Sequence, residues 1–197
     1  MSDQRVDRRK RRLLVTATGV MGGIVTAAAA APFVASMFPS ERAKAAGAPV
    51  EADISKLAPG ALQVVEWRGK PVWIMRRTPD MLKDIKVDDP AVSDPASDAS
   101  QQPAYAKNEF RSIKPEILVL VGVCTHLGCS PQFKPADDKA EMGPAWAGGF
   151  YCPCHGSKFD LAGRVLKGSP APINLVVPPY QFVGDDLLVI GTDAKRA

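Results

Sequence analysis

The sequence predicts a mainly β domain of short antiparallel strands preceded by a single transmembrane α-helix, and three observations predict it. No charged residue occurs between Leu13 and Phe38. Downstream, short runs rich in β-branched and aromatic residues alternate with glycine and proline turn signals. All four cysteines and both histidines fall between Cys124 and His155. At 197 residues the chain has room for one globular domain of ordinary size and an anchor, which argues against a two-domain soluble enzyme.

The charge-free run is long enough to cross a membrane, because a helix rising about 1.5 Å per residue spans a hydrocarbon core about 30 Å thick in some 20 residues. Residues 1–12 carry Arg5, Arg8, Arg9, Lys10, Arg11 and Arg12 against Asp3 and Asp7, which accounts for the whole formal charge of +4. The rest of the chain is near neutral and has no basic stripe, so nucleic acid is not an expected partner. Only Arg42 and Lys44 follow the apolar run closely, so the positive-inside rule places residues 1–12 in the cytoplasm and everything after the helix in the periplasm. A cleaved export signal ending near Ala43-Lys44-Ala45 is the competing reading. Arg11-Arg12-Leu13-Leu14 resembles a twin-arginine export signal, and an uncut signal serves as an anchor. The expected organisation is therefore a basic segment 1–12, a transmembrane helix 13–38, a flexible hinge 39–49 and a periplasmic domain 50–197. Gly19 and Gly23 have the small-xxx-small spacing of close helix pairs, although glycine is common in membrane helices in any case.

The hinge is polar and small, and its alanines permit either helix or coil. Strands are expected at residues 62–67, 72–76, 117–123, 149–151, 180–183 and 187–190, with turns at Gly69-Lys70 and Gly184-Asp185-Asp186. Thr78-Pro79-Asp80 is a helix-start signal for residues 78–85. Residues 88–102, rich in Pro, Ser and Asp, are expected as a surface elaboration.

Two segments carry the chemistry: Cys124-Thr125-His126-Leu127-Gly128-Cys129 and Cys152-Pro153-Cys154-His155-Gly156-Ser157. Each offers thiol and imidazole at metal-ligand spacing, and three readings compete. A structural zinc site would use two Cys and two His and leave Cys129 and Cys154 unexplained. A disulfide framework, open to three connectivities, would leave both histidines unexplained. A mixed-ligand [2Fe-2S] cluster takes two Cys on one iron and two His on the other.

The two boxes resemble those of the Rieske proteins of cytochrome bc complexes almost residue for residue. The resemblance implies a Rieske-type antiparallel β domain with a small cluster-binding part at about 123–173. It implies Cys124 and Cys152 on one iron, His126 and His155 on the other, and a Cys129–Cys154 disulfide clamping the loops. Gly168-Ser169-Pro170-Ala171-Pro172 is similar to the family's proline loop, so Gly168, Pro170 and Pro172 are expected to cover the cluster. Ser157 stands where the family has a hydroxyl directed at the cluster. High-potential members usually carry tyrosine where this chain has Phe159, which predicts a lower potential here.

The implied function is the redox subunit of a bacterial proton-translocating ubiquinol:cytochrome c oxidoreductase in the inner membrane. One electron, with a proton through His155 or His126, would pass from quinol toward cytochrome c1, with Leu127 beside the quinone. Cytochrome b, cytochrome c1 and quinol are the implied partners, and the complex is expected to be dimeric. Both histidines are already committed, which excludes an oxygenase subunit with a second, mononuclear iron. Soluble Rieske ferredoxins need neither an anchor nor the extra cysteine pair. The alternative is an exported electron relay of another oxidoreductase such as arsenite oxidase.

Overall fold

The computed structural model describes residues 7–85, 90–99 and 102–193. Asp3 and Arg5 of the basic segment, Asp88, Asp89, Ser100 and Gln101 of the expected elaboration, and the last four residues of the expected domain lie outside the described residues. The chain divides into two compact units, Met1–Ala45 and Ala46–Ala197.

In the first unit, helix α1 runs Arg8–Ser36. Asp7 caps it by accepting the backbone N–H groups of Arg9 (2.9 Å) and Lys10 (3.2 Å), which offsets donors that the first turn cannot satisfy internally. None of its residues is buried, and the helix is long and apolar enough to cross a membrane by length and composition. An all-round apolar surface of that kind requires lipid or protein around it. A second helix, α2 (Glu41–Ala46), occupies much of the expected hinge and is supported by a Lys44–Glu41 ion pair of 2.7 Å.

Among the described residues of the second unit, nine strands form three three-stranded sheets, and every pairing between them is antiparallel. The first sheet joins β1 (Val50–Asp53), β9 (Leu187–Ile190) and β8 (Tyr180–Val183), in that order. The second orders β2 (Leu62–Trp67), β3 (Lys70–Arg76) and β4 (Ile117–Val121). The third, smaller sheet orders β5 (Gln132–Lys134), β6 (Gly149–Cys152) and β7 (Ser157–Phe159). The main core draws Ile74, Met75, Leu118, Leu120, Tyr180 and Leu188 from the first two sheets. Trp73 stacks on Phe150 at 5.0 Å between ring centroids, which brings the second and third sheets into one core.

Three expectations are corrected. The β2–β3 turn lies at Arg68-Gly69, because Trp67 pairs with Lys70 and Lys70 already belongs to β3. The expected helix 78–85 is confined to α3 (Pro79–Lys83), capped by Thr78 Oγ1 accepting from the Met81 N–H at 3.2 Å. The segment expected as surface elaboration is partly internal: Val92 and Ser97 are buried, and Val92 bridges Leu166. Its polar composition conceals this, since the polar side chains are spent on backbone partners. Asp94, for example, accepts the N–H groups of Asp98 and Ala99.

Candidate metal centre

The first box leaves the end of β4 and folds back on itself. Cys124 N–H donates to Cys129 C=O (2.7 Å) and Gly128 N–H to Cys124 C=O (3.0 Å). The second box is the β6–β7 connection, closed by Gly156 N–H to Cys152 C=O at 2.9 Å. Both turns require positive φ, +84° at Gly128 and +79° at Gly156, which glycine adopts without steric cost.

Folding brings the boxes together. A disulfide joins Cys129 to Cys154, with Cα atoms 6.7 Å apart. The His126 and His155 rings meet edge to face at 4.7 Å between centroids. Cys124 and Cys152 remain free thiols, both buried, while His155 is exposed and Leu127 is 70% exposed. The sulfurs of Cys129, Cys152 and Cys154 lie within 4.8 Å of one another, but two of them are spent in the disulfide, so Cys152 alone of that group retains a ligand atom.

Burial pushes the Cys152 thiol up. The backbone amides of Cys154 and His155 pull it down, and the neighbouring Cys124 thiol raises it further. Nδ1 of His126 is buried with no hydrogen-bond partner among the described residues. A buried imidazole nitrogen without a partner is costly unless something takes it, and it stands by two adjacent thiols, so the donor set fits a centre ligated by both Cys and His.

The third segment closes over the boxes through specific bonds. Ala171 N–H donates to the fully buried Ser157 Oγ at 3.1 Å. Ser169 Oγ accepts the Lys158 N–H at 3.0 Å, and Thr125 Oγ1 donates to Ile173 C=O at 2.6 Å. Gly168, Pro170 and Pro172 are exposed on that loop, whereas Phe159 is fully buried in the core. Every site residue expected from the sequence thus falls in the boxes, the loop or the wall beneath them.

Sequence reasoning missed the supports. Arg111 is fully buried and donates to the carbonyls of Ala162 (3.0 Å) and Leu175 (2.6 Å). Arg164, also fully buried, holds Asp160 at 2.7 Å, and Arg77 donates to the Leu161 carbonyl at 3.1 Å. Desolvation pushes Arg77 and Arg111 each down to about 10, against the favourable charge of Asp160. In the sequence these are ordinary basic residues; only the carbonyls around Arg77 and Arg111 and the Asp160 carboxylate beside Arg164 make them internal. Asn174 likewise carries no sequence signal beyond polarity.

Residues 49–180 match the Rieske [2Fe-2S] domain, and residues 1–40 match the Ubiquitinol-cytochrome C reductase Fe-S subunit TAT signal. The ubiquinol-cytochrome c reductase iron-sulfur subunit of Allochromatium vinosum is 57% identical over 197 residues, covering 100% of this chain and 95% of that one. The protein of the same name from Bradyrhizobium diazoefficiens is 40% identical, covering 92% and 94%. Among solved structures, a chain of a hyperthermophilic respiratory Complex III is 30% identical, with a TM-score of 0.47 over 88% of this chain and 98% of that one. With two thiols, two imidazoles and a clamping disulfide in place, the chain belongs to the Rieske [2Fe-2S] family, among the iron–sulfur subunits of ubiquinol–cytochrome c reductase.

Proposed function

We propose that this chain accepts one electron from ubiquinol within a ubiquinol:cytochrome c reductase and passes it to cytochrome c1. The observation that carries the reading is the convergence of the two Cys/His boxes, with the histidine rings 4.7 Å apart at an exposed edge. Cys124 and Cys152 would hold one iron of the cluster, and His126 and His155 the other. When bound, the cluster supplies a one-electron acceptor whose potential, within about −150 to +300 mV, is raised because neutral imidazoles replace two thiolates.

The chain's own residues do the rest. His155 is exposed, so its outward ring nitrogen takes the hydrogen bond and then the proton of a quinol hydroxyl; His126, with Nδ1 buried, is the second candidate. Leu127, 70% exposed beside the first imidazole, provides the apolar contact for the quinone ring. Ser157 uses its lone pair on Ala171 N–H and keeps its proton for a cluster sulfur. Gly168, Pro170 and Pro172 on the covering loop exclude water from the site.

The basic segment stays cytoplasmic, α1 spans the inner membrane as an uncut anchor, and the β unit is periplasmic. Cytochrome b and cytochrome c1 are its neighbours in a dimeric complex, and the segment 39–49 lets the β unit move between them. The arsenite-oxidase relay is not favoured, because the relatives described above carry the name of the ubiquinol reductase subunit.

The test is to purify the full chain with its complex, reduce it with ascorbate, and record low-temperature EPR beside iron and zinc analysis. Two non-haem irons per chain, a signal of lower average g than an all-thiolate ferredoxin, and co-purifying cytochrome b support the proposal. One zinc with no signal overturns the redox reading, and a co-purifying molybdenum subunit overturns the quinol reading.

A further inference from the structure

The covering loop 168–172 is held at both ends by a segment far away in sequence. On its leading side, Ser93 N–H donates to Val165 C=O (2.9 Å), Val92 bridges Leu166, and Lys167 N–H donates to Ala91 C=O (2.7 Å). On its trailing side stands Asn174, fully buried. Its Nδ2 donates to Asp94 C=O at 2.9 Å and Ser97 Oγ at 3.0 Å, while its Oδ1 accepts Val165 N–H at 2.8 Å. The orientation of this amide is set by its partners, since a backbone carbonyl only accepts and a backbone amide only donates. One side chain therefore ties residue 165 to residue 174, pinching the loop at its root, and moors both to residues 94 and 97.

We propose that residues 91–97 form a strap that fixes the covering loop over the metal centre, with Asn174 as the positioning residue at its root. The inference rests on the reading of the site as a [2Fe-2S] centre. Ala171, inside the loop, donates to Ser157 Oγ, so a loop held in register leaves the Ser157 proton pointing away from Ala171 and available to the centre. Loosening the root frees Ala171, and the Ser157 hydroxyl then loses its fixed direction. Oriented donors stabilise the reduced, more negative cluster, so a loosened strap lowers its midpoint potential.

Asn174→Asp keeps the acceptor for Val165 and removes both Nδ2 donations, but it adds a buried carboxylate whose charge lowers a potential by itself; Ser97→Ala removes one donation with no change of charge and therefore decides the potential. On the full-length holoprotein, amide exchange is read peptide by peptide and the midpoint potential by EPR-monitored titration. Asn174→Asp is expected to speed exchange across 167–173 by about thirtyfold, the equivalent of the two buried hydrogen bonds it removes, and to shift the potential downward. Ser97→Ala moves both in the same direction by less. Ile74→Ala, a core change remote in sequence from the loop, serves as a control for general destabilisation and leaves both at the wild-type value. The strap is overturned if the two variants lower only the melting temperature, if exchange rises without a potential change, or if the control moves both equally. Should wild type hold no [2Fe-2S] cluster, the reading of the site fails by itself, and exchange at 167–173 alone decides whether the strap exists.

Discussion

In the base of the β unit, sheets β2–β3–β4 and β1–β9–β8 bury Ile74, Met75, Leu118, Leu120 and Leu188 to 1% exposure or less. Around the boxes, β5 and β7 are three residues each, and Phe150 and Phe159 are the large apolar side chains buried to the same degree from that sheet. Leu161, Val165 and Trp146 add apolar burial there, and a disulfide, backbone turns, hydroxyl ties and buried guanidiniums hold the loops around them. Apolar burial is non-directional and forgiving of small shifts, whereas hydrogen bonds and metal ligation fix positions to within tenths of an ångström. The base therefore supplies stability, and the tip supplies geometry.

That contrast can be broken in graded ways. The largest effect belongs to Cys152→Ser: a hydroxyl is a poor iron ligand, so the cluster EPR signal is expected to vanish while far-UV circular dichroism keeps its strand signature, and a retained signal would remove Cys152 from the ligand set. In the base, Ile74→Ala should cost about 2–5 kcal/mol in denaturant unfolding through the cavity it leaves, with the potential unchanged. A changed potential would mean that base and tip are not separable.

Removing the clamp with Cys129→Ser plus Cys154→Ser should cost about 2–4 kcal/mol, confined to the tip. Limited proteolysis is expected to cut within 124–129 or 152–157 first, and uniform cutting across the base would contradict the division. The smallest change is Phe159→Tyr, which adds one hydroxyl to a fully buried ring. It is expected to raise the midpoint potential by donating toward the centre, and an unchanged value would overturn the reading that Phe159 lowers the potential of this chain.

Much of the base is legible in the amino-acid sequence. Strands expected at 62–67, 180–183 and 187–190 agree with β2, β8 and β9 to the residue, because each is a run of β-branched and aromatic residues bounded by turns. β1, β5 and β7 are not legible there. Val50–Asp53 alternates valine and alanine with two carboxylates, Gln132–Lys134 is polar at both ends, and Ser157–Phe159 begins inside the second box. Such short strands are set by the partner they pair with rather than by propensity. The burial of Val92 and Ser97 is hidden for the same reason, since only the neighbourhood of Val165 and Asn174 makes them internal.

By itself the sequence determined the kinds of donor, their spacing within each box, and the long apolar run behind a basic start, because side-chain chemistry and local turn geometry are written residue by residue. Only the tertiary structure decided that Cys129 meets Cys154, that the two imidazoles stand edge to face, that three arginines turn inward, and that residues 91–97 moor a loop more than sixty positions away, near residues 165–174. Those are long-range contacts, chosen by how much backbone polarity and apolar surface the whole chain can satisfy at once.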